Sequence, residues 1–321
     1  MSEKKTVYSL SICGRAILNM HSLNNEGGEG NQIATRMVNV VYRDKVSEEV
    51  KLATVNAVSG DMFKHIQAEH LYLLAKNRNL TLCKGCERFS ASRILDDADF
   101  MKNLPSQDTG AIDSLLKQCV IDDLEGTLIA KGARSIPRKS IAEFGWVIGI
   151  PYLTTTESYF HVRYAAEHGE KTEETEQQAI FHRPASSGVY AIVANFEISR
   201  IGFNDISQRY PISDEQRESR YRAFLESILY TFIEPNGAMR GTQNPHVVEF
   251  QGVVTYTNQV LPAPSLSPLN ENYHKEIERV ASALNKIKSE AVSVCFFDSI
   301  GQFAETMQEL INNTMPFAFT A

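Results

Sequence analysis

Arginine, asparagine and threonine beside clustered glycines are the first chemistry this chain offers. Ser11-Ile-Cys-Gly-Arg15 runs into Leu23-Asn-Asn-Glu-Gly-Gly-Glu-Gly-Asn31, and far downstream stands Gly237-Ala-Met-Arg-Gly-Thr-Gln-Asn244. Glycine lets the backbone come close to a ligand while neighbouring side chains hydrogen-bond its oxygens. Such stretches suit a grip on something long, polar and phosphate-bearing, and neither looks like an enzyme's acid/base pair. Arg240 can donate to phosphate oxygens, with Thr242 and Gln243 adding donors; a surface turn with an exposed arginine reads equally well. Asn24 and Asn25 can contact a ligand or cap a turn around Gly27, Gly28 and Gly30. Glu26 and Glu29 oppose phosphate binding, so the expected contacts there are the asparagines and the amides.

Other groups carry weaker signals. Lys64 and His65 fall in the first turns of an expected helix, as a phosphate seat or as a solvated lysine and a surface histidine. Lys131, Arg134, Arg138 and Lys139 form the densest basic run, either a nucleic-acid contact or a solvated loop. Cys83-x-x-Cys86 has zinc-ligand spacing but lacks the second pair that would make the motif specific. Cys119, with His70 or Asp122 as a fourth ligand, would complete a structural zinc site; ordinary thiols in a helical insertion are the alternative. No cofactor is otherwise required. Asp96-Asp97-Ala-Asp99 and Asp122-Asp123 could bind a divalent ion for phosphodiester cleavage, yet no His or Lys stands at a recognisable spacing, and acidic runs are usually solvated. No P-loop, dinucleotide fingerprint or nucleophile elbow occurs.

These residues lie in a chain of 321 residues with 43% hydrophobic content and a formal net charge of -7. That composition supports a buried core in one large domain or two smaller ones. The negative charge argues against a generally basic nucleic-acid coat, so any binding to phosphates must use local basic patches. No run of about 18 or more apolar residues is present, and Met1-Ser-Glu-Lys-Lys-Thr6 has no apolar signal core, so the expectation is a cytoplasmic protein without membrane partners. Five scattered cysteines fit reduced thiols or a metal better than a disulfide framework.

Alternation over Thr6 to Leu18 predicts a half-buried strand with Arg15 on an open face. A glycine-rich loop follows, then strands over 35–45 and 50–58 joined as a hairpin. Ser59-Gly-Asp61 caps a helix whose expected buried stripe is Met62, Phe63, Ile66, Leu73 and Leu74. The stretch 81–126 reads as an insertion with its own small fold, 131–139 as a basic loop, and 141–152 as a strand. Residues 158–190 read as a projecting hairpin around the polar tip His168 to Glu176, where Glu173, Glu174 and Glu176 could meet a neighbour's basic surface. A strand over 189–201, a helix over 213–232, a strand over 247–257, a linker at 261–268, a helix over 270–288, a strand over 291–297 and a helix over 299–312 close the chain. The pattern predicts an α+β sheet with helices on one face and the other open, as in many binders of single-stranded nucleic acid.

Ile12-Cys-Gly-Arg15 with Leu23-Asn-Asn25, Val58-Ser-Gly60 leading to Lys64-His65, Ile180-Phe-His-Arg183 with Ser187-Gly-Val-Tyr-Ala191, and Gly237-Ala-Met-Arg-Gly241 occur in one order. In that order the chain resembles the backbone subunit of type I CRISPR surveillance (Cascade) complexes, the DevR-type or Csa-type autoregulator family. The resemblance implies a modified ferredoxin-like or RRM-like palm (1–76, 131–154 and 190–321), a helical finger insertion (77–130) and a hairpin thumb (155–189). It implies a noncatalytic protein that multimerises along a CRISPR guide RNA and, with small end-cap and large subunits, supports recognition of target DNA by the guide. Arg15, Asn24, Asn25, Arg36, Lys64, His65, Arg240 and Thr242 would line the RNA track, to which the residue readings add Gln243, Arg134, Arg138 and Lys139. Two other functions compete. Type III relatives cut RNA with an aspartate in the loop after the first strand, where this chain has only Glu26 and Glu29; a transcriptional autoregulator on duplex DNA would need a helix-turn-helix, and none is convincing.

Overall fold

The alternating strand expected near the N-terminus forms as β2, Ser9–His21, and becomes the centre of the molecule. The computed structural model describes residues 4–44, 46–163 and 179–320. Around β2 stand β1 (Lys5–Val7), β3 (Asn25–Glu29), β4 (Gln32–Thr35), β5 (Met37–Arg43) and β6 (Val50–Val58). Later come β7 (Thr127–Lys131), β8 (Arg134–Arg138), β9 (Ala142–Phe144), β10 (Val147–Arg163), β11 (Ala179–Phe196), β12 (His246–Thr257), β13 (Val292–Phe297) and β14 (Thr314–Pro316). The principal sheet runs β13-β12-β2-β11-β10-β6-β5, and every pairing along that path is antiparallel.

One face is covered by α1 (Gly60–Asn77), α5 (Asp214–Ile233) and α7 (Ile300–Asn313). Ser59 caps α1 as expected, its hydroxyl accepting from the Met62 amide, and Ser213 with Gln216 forms a reciprocal capping box on α5. The buried side of α1 carries Phe63, Ile66 and Leu71, whereas Leu73, expected inside, is 54% exposed. Phe232, Phe250, Phe297 and Phe303 interlock over β12 and β13, adding edge and stacking contacts to plain area burial.

The opposite face is not open along β2, contrary to expectation. α6 (Tyr273–Ile287) presents Tyr273, Ile277 and Ala281 as an apolar stripe at helical spacing, and that stripe needs a sheet to bury it. It closes over Cys13 and Val253. Arg15 is therefore committed: Nε and Nη2 donate to the Pro268 carbonyl at 3.0 and 2.6 Å, and the guanidinium lies 5.9 Å from the Tyr273 ring centre.

Strands β10 and β11 stay paired beyond the sheet, to Arg163 opposite Ala179, and form a projecting two-stranded arm. A register shift between Gly149 and Thr154 marks the arm's root, where Tyr152 adopts φ 64°. Such a bulge bends the strand and sets the direction in which the arm projects. The polar tip and its Glu173, Glu174 and Glu176 lie outside the described residues. The stretch after β2, expected as a loop, is the hairpin β3–β4, and β4 joins β11 at Gln32 opposite His182. Gly27 and Gly30, at φ 107° and 61°, provide backbone that other residues rarely adopt, which lets this polar sequence fold back as strands.

The insertion carries α2 (Ala98–Lys102), α3 (Asp108–Gln118), α4 (Val120–Glu125) and two short 3-10 turns at Cys86–Arg88 and Arg93–Asp96. The basic run at 131–139, expected as a loop, lies mostly in the two-stranded hairpin β7–β8. Pro137 does not break it, because the ladder has only two strands and an edge needs no donor there. The single strand expected at 141–152 divides into β9 and the start of β10.

Candidate nucleic-acid interface

The two glycine-bearing stretches meet in space at the root of the arm. The Ala238 amide donates to the Leu23 carbonyl at 3.1 Å. Gly237 sits so close to Leu23 that an added Cβ would come within 2.6 Å of its Cδ2. The loop then curls through Met239, at φ 58°, and turns its polar side chains onto the arm. Arg183 Nη1 donates to Thr242 Oγ1 at 3.0 Å, and Gln243 Nε2 donates to the Pro184 carbonyl at 3.0 Å.

Three half-exposed guanidiniums mark this rim, each with few partners. Arg240 pairs with Glu234 and reaches Asn244 Oδ1 at 3.3 Å. Arg36 holds Glu26 at 2.8 Å beside the Trp146 ring. Arg183 lies over Phe181, 4.7 Å from the ring centre. Cross-strand register sets Tyr159 opposite Arg183 and Phe160 opposite His182, so alternate positions offer aromatic rings on both faces of the arm. Phe160 is 59% exposed, and the exposed Met20 lies 4.0 Å from the Tyr159 hydroxyl. Rings, a thioether and guanidiniums gathered in this way can stack on planar bases and hold phosphate oxygens. Beneath them His21 is buried against Tyr190, and burial pushes its imidazole down to about 4.

Of the residues expected on an RNA track, Asn25, Arg36, Arg240, Thr242 and Gln243 come together here. Asn24 is beside them but buried, with Oδ1 accepting from the Ser59 amide at 2.7 Å; it fastens the end of β2 to the cap of α1 rather than facing outward. Lys64 does not form a phosphate seat, since its Nζ donates to the Glu125 carbonyl at 3.1 Å and burial lowers its ammonium. His65 is exposed and packs against Phe89.

The basic run is likewise turned to structure. Arg134 is bound to Asp108 and to the Pro105 carbonyl. Arg138, expected at the surface, has a side chain only 1% exposed and pairs with Asp123 at 2.7 Å. Lys139 stands between Glu143 and Glu197, whose charges would repel a phosphate, and the Glu143 hydrogen bond raises its ammonium. Lys131 reaches the Met101 carbonyl at 2.5 Å.

The acidic runs have structural partners too. Asp97 caps α2 and also accepts from the Lys84 amide and Gln118. Asp96 meets Ser90, Asp99 pairs with Lys84, and Asp123 with Arg138 and Arg220. In the insertion, Cys83, Cys86, Cys119 and Asp122 converge, their ligand atoms within 4.8 Å of one another. His70 is elsewhere, its Nε2 2.9 Å from the Glu234 carbonyl.

Sequence reasoning did not assign Met20, Tyr159, Phe160, Arg183 or Trp146 to the site. The alternation in Tyr159-Phe-His-Val-Arg163 carried a signal, since a projecting hairpin with large rings on both faces has no core to bury them.

The family model described as CRISPR-associated negative auto-regulator DevR/Csa2 matches residues 12–278. The CRISPR-associated protein Cas7/Csa2 1 of Saccharolobus solfataricus is 24% identical over 281 residues, covering 85% of this chain and 86% of its own length. The CRISPR-associated protein Cas7/Cst2/DevR of Methanocaldococcus jannaschii is 22% identical over 324 residues, covering 94% of this chain and 98% of its own. Among solved structures, a chain of a pre-nicking CRISPR RNA-guided surveillance complex aligns with TM-score 0.48 at 12% identity, covering 94% of this chain and 99% of its own. A chain of a second CRISPR RNA-guided surveillance complex aligns with TM-score 0.47 at 12% identity, covering 98% and 95%.

Proposed function

The chain belongs to the DevR/Csa2 family of CRISPR-associated proteins, and from that membership we propose that it is a noncatalytic backbone subunit of a type I surveillance complex. It binds CRISPR guide RNA, packs against further copies of itself along that RNA, and works in the cytoplasm with end-cap and large subunits. Target DNA is recognised through base pairing with the guide, while the protein reads backbone and shape. In this reading the sheet is the RRM-like palm, 77–130 the finger and 155–189 the thumb.

The observation that carries it is the meeting of Leu23–Asn25 with Gly237–Gln243 at the root of the arm, ringed by Arg36, Arg183 and Arg240. Exposed ion pairs such as Arg240 with Glu234 are worth at most about 1 kcal/mol, so a phosphate can replace the carboxylate at little cost. The same pairing reconciles an acidic chain with an RNA track: Arg36 and Arg240 are neutralised by Glu26 and Glu234 until RNA arrives. Tyr159 and Phe160 supply stacking faces, which tolerate any base and so suit guides of any sequence. The engagement of Asp96, Asp97, Asp99 and Asp123 as caps and ion partners favours a scaffold over a ribonuclease.

The test is to express the protein with and without a CRISPR array transcript and to measure particle mass and the sequence of retained RNA. Discrete multimers holding guide-derived RNA are expected. RNA-free monomer even with the transcript and the partner subunits present would overturn the reading.

A further inference from the structure

We propose that Cys83, Cys86, Cys119 and Asp122 bind one zinc ion tetrahedrally and that this ion fastens the insertion together. The four donors come from two short pieces of chain. Cys83 and Cys86 lie on a tight turn, and Cys119 and Asp122 on the cap and first turn of α4. All four are buried.

Their spacing matches a coordination tetrahedron. Bonds of about 2.3 Å to sulfur and about 2.1 Å to oxygen place adjacent sulfur and oxygen ligands about 3.6 Å apart. Asp122 Oδ2 lies 3.2 Å from Cys83 Sγ and 3.5 Å from Cys86 Sγ. The other carboxylate oxygen, Oδ1, accepts from the Ile94 amide at 3.3 Å, which orients the group and aims Oδ2 at the sulfurs. Supporting amides are also in place. Cys86 N donates to Cys83 Sγ at 3.3 Å, and Asp122 N donates to Cys119 Sγ at 3.5 Å. Bonds of this kind stabilise thiolates and fix ligand orientation around a metal.

Gly85 completes the turn for a steric reason. A Cβ there would meet the Arg93 carbonyl oxygen at 1.9 Å, so the Cys83-Lys-Gly-Cys86 turn closes only with glycine. A set of packing thiols would not need a carboxylate pointed into their midst, because a buried carboxylate facing only sulfur lacks adequate hydrogen-bond partners. Thiolates with one carboxylate select zinc over magnesium or calcium, which prefer all-oxygen shells. Cys13 and Cys295 lie outside the cluster and serve as controls.

Zinc, iron and copper would be measured by mass spectrometry on the purified full chain, and cobalt exchanged for the metal to read the absorption of thiolate-bound tetrahedral Co²⁺. About one zinc per chain is expected, falling to under about a tenth in Cys119→Ser and held in Cys295→Ser. Asp122→Asn is expected to weaken retention against a chelator while leaving the cobalt–thiolate band. Should Cys119→Ser fail to fold, the wild-type zinc content and cobalt spectrum decide alone. Substoichiometric metal with no cobalt–thiolate band, iron or copper in place of zinc, or a Cys83–Cys86 disulfide would each overturn the proposal. None of these outcomes depends on what the arm binds.

Discussion

Beneath the insertion, Asp123 receives Arg138 at 2.7 Å, Arg220 at 2.8 Å and the Gly202 amide at 3.0 Å, all out of water. At the root of the arm, Arg36, Arg183 and Arg240 are each partly exposed, with one or two replaceable partners. The residue type is the same, and its surroundings give it opposite roles. Arg138 spends its donors on Asp123, Asp205 and the carbonyls of Asp123, Phe203 and Arg200, which leaves nothing for a ligand. Arg240 keeps donors in water and gives up little when its partner changes. The number of basic residues in a stretch therefore says less about which donors stay available than whether their partners are exposed.

Three substitutions test that contrast through stability, from large effects to small. Arg138→Ala leaves Asp123 with Arg220 as its one remaining guanidinium and strands the carbonyls of Asp123, Arg200 and Phe203 without that donor, and urea denaturation is expected to show a loss of about 3 kcal/mol. A loss below about 1 kcal/mol would mean that water reaches the Asp123 site. His21, under the rim, is held neutral by burial, with its folded value at about 4 against 6.5. A depressed folded value leaves stability untouched above the ordinary histidine range and erodes it as pH falls toward 4, by about 2 kcal/mol between pH 7 and pH 5. His21→Asn should flatten that part of the pH profile; an unchanged profile would assign the loss to other groups. Arg240→Ala should change stability by less than about 1 kcal/mol, as expected for an exposed pair.

Local signals marked a helix cap and the long arm, but not the β3–β4 and β7–β8 hairpins, which were expected as loops. Ser59 stands before an amphipathic run and caps it as read, and the long hairpin followed from its flanking strands. The misses at the expected site residues were long-range. Nothing near Arg15 announces that the Tyr273 stripe will close over it, because the two meet only through the sheet. Arg138 reads as surface in a basic run, yet its acceptors Asp123, Arg200 and Phe203 are spread along the chain. Asn24 and Asn25 are neighbours with the same chemistry, and only the position of the Ser59 amide decides which one is buried. The cysteine cluster was largely legible, since Cys83, Cys86 and Cys119 were read together, while the choice of Asp122 over His70 as the fourth member needed the fold.

The most direct test of the rim as an RNA grip is the salt dependence of single-stranded RNA binding. It would be measured for the wild type, for Arg183→Ala with Arg240→Ala, and for Lys131→Ala with Lys139→Ala. The rim pair should bind more weakly, with a log–log salt slope shallower by about 0.7 for each phosphate contact removed, while the basic-run pair behaves as wild type. An unchanged slope in the rim variant, or the same loss in the basic-run variant, would contradict the account.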